Sequence, residues 1–97
     1  MEGFCDMSHT AVHVFFSGVV QGVGFRFTAR TFAGRHHIKG WVKNCADGRV
    51  EMLAEGAQQD VQAFLRGLQE DFRNNLTDTQ IETRTESGNH SSFQVRF

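Results

Sequence analysis

Residues 12–26 read VHVFFSGVVQGVGFR and place a strand, a glycine-rich loop and the start of a helix in direct succession. Val12, Val14 and Phe16 recur at every second position, which is the pattern of a strand covered chiefly on one side. Three glycines within residues 18–24 then let the backbone turn sharply and bring its amides close to a ligand. The stretch therefore predicts a strand that ends at a loop suited to a small anion.

The residues after this loop predict a helix and a β-hairpin. Four apolar residues recur at helical spacing: Phe25, Ala29, Phe32 and Ala33. They predict a helix that begins near residue 25 and stops near residues 34–37. Residues 38–44 and 48–55 are predicted as two strands, because each is short, rich in apolar residues and separated from the other by Asp47-Gly48, a pair that tolerates positive φ.

The second half of the chain contains its strongest helical stripe. Apolar residues fall at i, i+3, i+4, i+7 and i+11: Val61, Phe64, Leu65, Leu68 and Phe72. A polar loop at residues 73–78 follows, and weaker strands are predicted at residues 79–85 and 93–97.

The order of these elements is β-α-β-β-α-β, with the last strand region divided in two. It predicts an α+β fold, a ferredoxin-like split βαβ sandwich in which an antiparallel sheet carries two helices on one face. We assign residues 11–97 to this domain. Residues 1–10 lack a clear period and are predicted to form a flexible leader.

The composition fits one small globular domain. The chain has 97 residues, of which 39% are hydrophobic and ten are Phe. Ten Lys plus Arg against eleven Asp plus Glu give a net charge of -1, so no general attraction to nucleic acid or to an anionic membrane is expected. No apolar run approaches the roughly 18 residues of a transmembrane helix. We therefore expect a cytoplasmic monomer without nucleic-acid or membrane partners.

The cysteines and histidines form no recognisable metal or nucleophile pattern. Cys5 and Cys45 lie outside any Cys-x-x-Cys pair, which favours reduced thiols. A nucleophilic Cys45 is the alternative, but no His is spaced locally to activate it. The five histidines also lack paired ligand spacing, so no metal or cofactor is predicted: His9, His13, His36, His37 and His90.

Arg26 has the side chain best suited to an anion site at this loop. It falls in the first turn of the predicted helix, where backbone N–H groups converge. Its planar guanidinium can donate two parallel hydrogen bonds to phosphate oxygens. The loop lacks the Lys-Ser/Thr of a Walker loop and the third glycine of the dinucleotide fingerprint. The alternative is a tight turn made by the glycines alone, with Arg26 as a surface charge.

Two motifs resemble those of the acylphosphatase family. Residues 18–26 agree with the pattern Gly-x-Val-Gln-Gly-Val-x-Phe-Arg at every fixed position. Residues 40–44 read Gly-Trp-Val-Lys-Asn, and Gly-Arg-Val at residues 48–50 and Gly56 follow at the family's spacing. The resemblance extends from the first predicted strand to the last.

This resemblance implies hydrolysis of small acyl phosphates to a carboxylate and inorganic phosphate. By motif position, Arg26 binds the phosphate and Asn44 orients the attacking water through its amide oxygen. The implied phosphate cradle is completed by the backbone amides of five residues: Gln21, Gly22, Val23, Gly24 and Phe25. A carboxylate is already a good leaving group, so the reaction needs neither a general acid nor a metal.

The chain also departs from the family pattern. Residues 72–79 contain no proline, although family members often have Gly-Pro in this loop, and Val19 stands where a basic residue is frequent. Three alternatives stay open. One is the acylphosphatase-like domain of hydrogenase-maturation carbamoyltransferases, in which proline usually follows the arginine where this chain has Phe27. The others are a non-catalytic anion-binding module and an RNA-recognition module, whose aromatics would stud the central strands.

Overall fold

The computed structural model describes residues 9–85 and 88–97 as two helices packed on one face of a five-stranded sheet. The elements are β1 His9–Gly18, α1 Phe25–Arg35, β2 Lys39–Asn44, β3 Val50–Ala57, α2 Gln58–Asp71, β4 Leu76–Arg84 and β5 Phe93–Arg96. The strand order across the sheet is β4-β1-β3-β2-β5. The predicted α+β, ferredoxin-like fold class is confirmed.

The sheet is mixed, whereas a wholly antiparallel sheet was expected. β1, β3, β2 and β4 pair antiparallel, but β5 pairs parallel with β2, with Gly40 opposite Phe93 and Lys43 opposite Arg96. β4 ends beside the first residues of β1, and β5 starts beside the first residues of β2 on the other edge. Both points lie at the same end of the sheet, so β5, which starts there, runs in the same direction as β2.

The starts of β1 and β4 are among the boundaries that differ from the predicted ones. β1 begins at His9 and Thr10 pairs with Gly56, so regular structure starts before residue 11. Residues 1–8 of the predicted leader lie outside the described residues. β4 begins at Leu76, inside the predicted polar loop, because Gly18 continues the β1–β4 pairing past a register shift. The predicted loop is thus reduced to a short turn before Leu76.

The core lies between the sheet and the helices. Phe16 of β1, Phe25 of α1 and Phe72 after α2 form a chain of ring contacts, with centroids 4.7 Å apart at both steps. Burying a Phe side chain contributes roughly 1.5–3 kcal/mol. This contact therefore fixes where α1 begins and leaves the next residue, Arg26, half-buried at the rim of the core.

Both helices are short and pack through one face. α1 has 11 residues and buries Phe25, Ala29 and Ala33, while Phe32 packs at the edge of the core. α2 has 14 residues and buries four of the predicted stripe: Val61, Phe64, Leu65 and Leu68. In the described parts of the chain no helix has the length and apolar character needed to cross a membrane.

Candidate active site

Glycines set the shape of the loop between β1 and α1. Gly22 and Gly24 have φ values of 76° and 79°, in the left-handed region that other residues rarely adopt. Gly18 also has a positive φ, and a Cβ there would collide with the carbonyl oxygen of Asn75. The loop can therefore turn against β4 and enter α1 only with glycine at these positions.

Hydrogen bonds on two sides hold this loop in place. On the β4 side, the Val19 N–H donates to the Asn75 carbonyl at 2.8 Å, and Asn75 Nδ2 donates to the Val19 carbonyl at 3.1 Å. On the other side, Gln21 Nε2 donates to the carbonyls of Cys45 and Arg49 at 2.8 and 2.9 Å. The Gln21 side chain thus ties the loop to the β2–β3 turn.

The β2–β3 turn holds Asn44 at its start. The Cys45 N–H donates to the Arg49 carbonyl at 2.8 Å, and the Gly48 N–H donates to the Cys45 carbonyl at 3.2 Å. Asp47 accepts hydrogen bonds from the Arg49 backbone N–H at 3.1 Å and from Arg49 Nε at 2.8 Å. These hydrogen bonds favour the ionised carboxyl and lower the pKa of Asp47 below its ordinary value.

Arg26 and Asn44 line the same cavity, which has a volume of about 120 Å³. The other lining residues come from the loop and the first turn of α1: Val20, Gly22, Gly24, Phe25 and Phe27. Among the described residues, Asn44 Oδ1 is the one buried side-chain nitrogen or oxygen without a hydrogen-bond partner. Such an orphaned acceptor costs about 1–3 kcal/mol. A hydrogen-bond donor bound in the cavity, such as water, would offset that cost.

The guanidinium of Arg26 is held by the end of β5. Nη1 donates to the Arg96 carbonyl at 2.9 Å, and Cζ lies 4.6 Å from the ring centroid of Phe97. Within residues 9–85 and 88–97 this is its one hydrogen bond, and a guanidinium has five N–H donors. The remaining donors can bind an anion in the cavity while β5 restrains the side chain.

The N-terminus of α1 adds backbone donors at the same point. Gly24 is the N-cap residue, no side chain of the described residues caps the helix, and its first turn contains no acidic residue. The Thr28 N–H donates to the Gly24 carbonyl at 3.0 Å and closes the first helical turn. The N–H groups that precede it have no partner within the helix, and the helix dipole favours negative charge there. The cavity is therefore suited to an anion.

Cys45 is adjacent to Asn44 but is not arranged as a nucleophile. Its Sγ lies 3.9 Å from Glu51 Oε1, and His13 Nε2 lies 2.6 Å from the other carboxyl oxygen of Glu51. Burial, followed by the negative charges of Glu51 and Asp47, raises the pKa of the Cys45 thiol. His13 pairs with the Glu51 carboxylate and not with the thiol. A thiol with a raised pKa is protonated at neutral pH. The geometry therefore disfavours the alternative of a nucleophilic Cys45.

The open face of the sheet, away from the helices, carries aromatic rings that arginine side chains contact. The Arg49 guanidinium lies 4.2 Å from the Phe15 centroid, and that of Arg96 lies 4.9 Å from the Trp41 centroid. The central strand β3 presents the acidic Glu51 opposite Phe15 on one side and Lys43 on the other. These features disfavour stacking of nucleic-acid bases on this face.

The structure brings together most of the residues that the sequence singled out. Arg26 and Asn44 share the cavity, as do Gly22, Gly24 and Phe25, whereas Gln21 acts through its side chain on the neighbouring turn. No three His, Cys, Asp or Glu side chains gather in the described residues as metal ligands would. The contacts of Arg96 and Phe97 with Arg26 had no local sequence signal, because they join residues about 70 positions apart.

The chain resembles known proteins over nearly its whole length. The acylphosphatase family profile matches residues 12–95. An acylphosphatase of Haloarcula marismortui is 44% identical over 92 residues, which cover 94% of this chain and 100% of the relative. One from Bacillus velezensis is 37% identical over 88% of this chain and 96% of the relative.

A solved structure gives the same result for the fold. The crystal structure of acylphosphatase from Bacillus subtilis superposes with a TM-score of 0.82 at 32% identity, covering 91% of this chain and 99% of that one. The profile match spans most of the chain, and both sequence relatives exceed 30% identity over nearly their whole length. The chain therefore belongs to the acylphosphatase family of hydrolases.

Proposed function

We propose that the chain hydrolyses acyl phosphates to a carboxylate and inorganic phosphate, with Arg26 holding the phosphoryl group and Asn44 orienting the attacking water. The observation that carries this proposal is the cavity that the two side chains share, at the uncapped N-terminus of α1. The relatives' name, acylphosphatase, supports the class of reaction.

The phosphoryl group would be bound by charge and by backbone donors together. The Arg26 fork supplies two parallel N–H groups, and the backbone amides of residues 21–25 supply the rest of the cradle. Phosphoryl transfer depends largely on positioning and on stabilising charge on the equatorial oxygens. A guanidinium and fixed amides provide both without a metal ion.

The attacking water would be held by Asn44. Among the described residues its buried Oδ1 has no hydrogen-bond partner, so a water that donates to it gains a full hydrogen bond and is fixed in orientation. A neutral amide is too weak a base to take the water proton. We assign that proton to a phosphoryl oxygen of the substrate. The water oxygen bonds to phosphorus, the bond from phosphorus to the acyl oxygen breaks, and its electron pair leaves with the carboxylate.

The reaction as proposed uses no metal and no cofactor. A carboxylate leaves readily without a general acid, and the net charge of -1 offers no attraction to polyanions. We therefore expect full activity in the presence of a chelator, no association with nucleic acid or membranes, and a cytoplasmic monomer. Activity after exhaustive EDTA treatment tests whether the reaction is independent of a metal ion. Gel filtration tests whether the protein is a monomer.

The experiment that tests the phosphate site compares Arg26→Ala with Arg66→Ala, a matched loss of an exposed arginine on α2. Wild type and Arg66→Ala should hydrolyse benzoyl phosphate with EDTA present and be inhibited by inorganic phosphate. Arg26→Ala should lose both turnover and inhibition. A wild type that binds phosphate without turnover would identify a non-catalytic module. If Arg26→Ala is still inhibited by inorganic phosphate, the anion site does not lie at Arg26.

A further inference from the structure

A second cavity lies between the C-terminal part of α1 and the start of β5. Its volume is about 360 Å³, against about 120 Å³ for the cavity at Arg26, and it falls within the range of small-molecule sites in proteins. Gly34, in the last turn of α1, is one of its lining residues. Gly34 follows Arg26 by eight residues, which is about 12 Å along a helix axis. The second cavity is therefore separate from the candidate active site.

The floor of the second cavity is apolar and fixed. Ala33 and Ile38 line it, and both belong to the buried core. Phe93 lies beside them, with its ring centroid 5.8 Å from that of Phe64 in α2. The Ile38 N–H donates to the Ala33 carbonyl at 2.9 Å and holds the end of α1 against the start of β2. The floor therefore offers a preformed surface to an apolar group.

The walls of the same cavity are basic. Three basic residues line it, and no acidic residue of the described chain does: Arg30, His37 and Lys39. Within residues 9–85 and 88–97, neither Arg30 nor Lys39 forms an ion pair. The Arg30 guanidinium lies 5.3 Å from the ring centroid of Phe27, a stacking contact that uses no N–H donor. The cavity thus has cationic donors that can bind an anion.

Acidic side chains lie on the other side of His37 and Lys39. These two residues also line a neighbouring cavity, together with Glu55 and Asp60. The polarity of the surface therefore changes across His37 and Lys39. An anion is favoured on the side of Arg30, where the described lining residues include no carboxyl group.

The backbone at His37 is strained. Its φ is 58°, and among the described residues it is the one residue other than glycine with a positive φ. Glycine or asparagine usually takes this conformation after the end of a helix, because a larger side chain there costs free energy. Strained residues of this kind cluster at binding sites. Here the strain accompanies an imidazole that lines the cavity.

Ser91 and Ser92 form the wall opposite α1. The Ser92 carbonyl accepts a hydrogen bond from the Gly40 N–H at 3.0 Å, which holds this wall against β2. Each serine hydroxyl can donate a hydrogen bond to an anion. The wall therefore adds neutral donors to the cationic ones.

We propose that this second cavity binds a small organic anion, in which a phosphate or a carboxylate is joined to an apolar body. Arg30 and Lys39 would hold the anionic group, and the apolar body would cover Ile38 and Phe93. Removal of that body from water supplies affinity in proportion to its apolar area, whereas the polar groups fix its orientation. Binding here does not depend on the reaction proposed for the Arg26 cavity.

The test is a titration with 1-naphthyl phosphate, followed through the backbone amide signals in ¹H–¹⁵N NMR spectra. The amides of Ile38 and Ser92 should shift in a saturable way at millimolar probe. Those of Gly22 and Gly24 report separately on phosphate at the Arg26 cavity. 1-Naphthol, which lacks the anion, should bind about 10-fold more weakly or worse. 1-Naphthoate shows whether a carboxylate replaces the phosphate.

Filling the cavity should abolish this binding. A Cβ at Gly34 would meet no atom within 4 Å, so Gly34→Leu should fold and place its side chain in the cavity. The shifts at Ile38 and Ser92 should then disappear, while those at Gly22 and Gly24 remain. Thr31→Leu adds the same side chain at an exposed position of α1 outside the lining and should bind the probe as wild type does.

Removing the cations should weaken the binding in steps. Arg30→Gln and Lys39→Gln should each raise Kd roughly 2- to 5-fold, the range of an ion pair at an exposed site. Arg35→Gln, which removes an exposed arginine outside the lining, should leave Kd unchanged. The proposal is overturned if the probe shifts only Gly22 and Gly24, if 1-naphthol binds as tightly as 1-naphthyl phosphate, or if Gly34→Leu keeps the shifts at Ile38 and Ser92.

Discussion

Gln21 connects the loop to the turn that carries Asn44, so replacing it with alanine tests whether that connection matters. Gln21→Ala removes two hydrogen bonds, to the carbonyls of Cys45 and Arg49. Neither carbonyl is left without a donor, because the first still accepts from the Gly48 N–H and the second from the Cys45 N–H. The loss is therefore that of two hydrogen bonds without an added penalty for orphaned acceptors.

The expected magnitude follows from this count. Two hydrogen bonds at about 0.5–1.5 kcal/mol each give a loss of roughly 1–3 kcal/mol in the free energy of unfolding. In a domain of this size, each kcal/mol lowers Tm by about 4–8 °C. Turnover should fall further, by about 10- to 100-fold in kcat, because a shift of the loop relative to Asn44 misplaces the reacting groups. Phosphate inhibition should change less, since Phe25 still anchors Arg26.

The assay pairs urea unfolding with hydrolysis of benzoyl phosphate, and Gln62→Ala, an exposed site on α2, is the matched control. Gln21→Glu sharpens the comparison, because its carboxylate would face two carbonyl oxygens at neutral pH and should destabilise more than alanine. The reasoning is refuted if Gln21→Ala matches Gln62→Ala in both stability and kcat, or if Gln21→Glu is as stable as wild type.

Two further predictions concern neighbouring residues. Phe25→Ala should lower the free energy of unfolding by about 3–5 kcal/mol, because it removes the ring that contacts both Phe16 of β1 and Phe72 after α2. Phe25→Leu should lower it less. A loss below about 1 kcal/mol for Phe25→Ala in urea unfolding would contradict this packing. Cys45, whose pKa is raised, carries less thiolate than a free cysteine at any given pH. Alkylation of Cys45 by iodoacetamide should therefore be slow near pH 7, and its rate should rise at a more alkaline pH than the alkylation rate of a small free thiol does. Fast alkylation at neutral pH would instead support Cys45 as a nucleophile.

The sequence predicted the elements of the fold because their signals are local. The alternation of apolar residues in β1 and the apolar stripe of α2 indicate which side chains face the core, and those side chains are buried in the structure. The direction of β5 and its place beside β2 could not be predicted, because they depend on a crossover between opposite edges of the sheet. The start of β4 at Leu76 depends likewise on its pairing with Gly18, 58 positions earlier.

The residues proposed for the site were predicted on different grounds. Arg26 followed from local chemistry, since an arginine after a glycine-rich loop at a helix N-terminus suits an anion. Asn44 was predicted only from resemblance to a family motif, because an asparagine at the end of a strand has no local sequence signal for orienting a water. The side-chain role of Gln21 and the contact of Arg26 with Phe97 required the structure, since both join segments far apart in sequence.

The pairing of Arg26 with Asn44 in one cavity is tested most directly by kcat of Asn44→Ala on benzoyl phosphate, measured beside inhibition by inorganic phosphate. Asn74→Ala, at an exposed asparagine outside the cavity, is the control and should behave as wild type. Loss of one preorganised polar contact should lower kcat of Asn44→Ala by about 10²- to 10³-fold while phosphate still inhibits through Arg26. Near-normal turnover, or a loss of phosphate inhibition as large as the loss of kcat, would contradict the assigned roles.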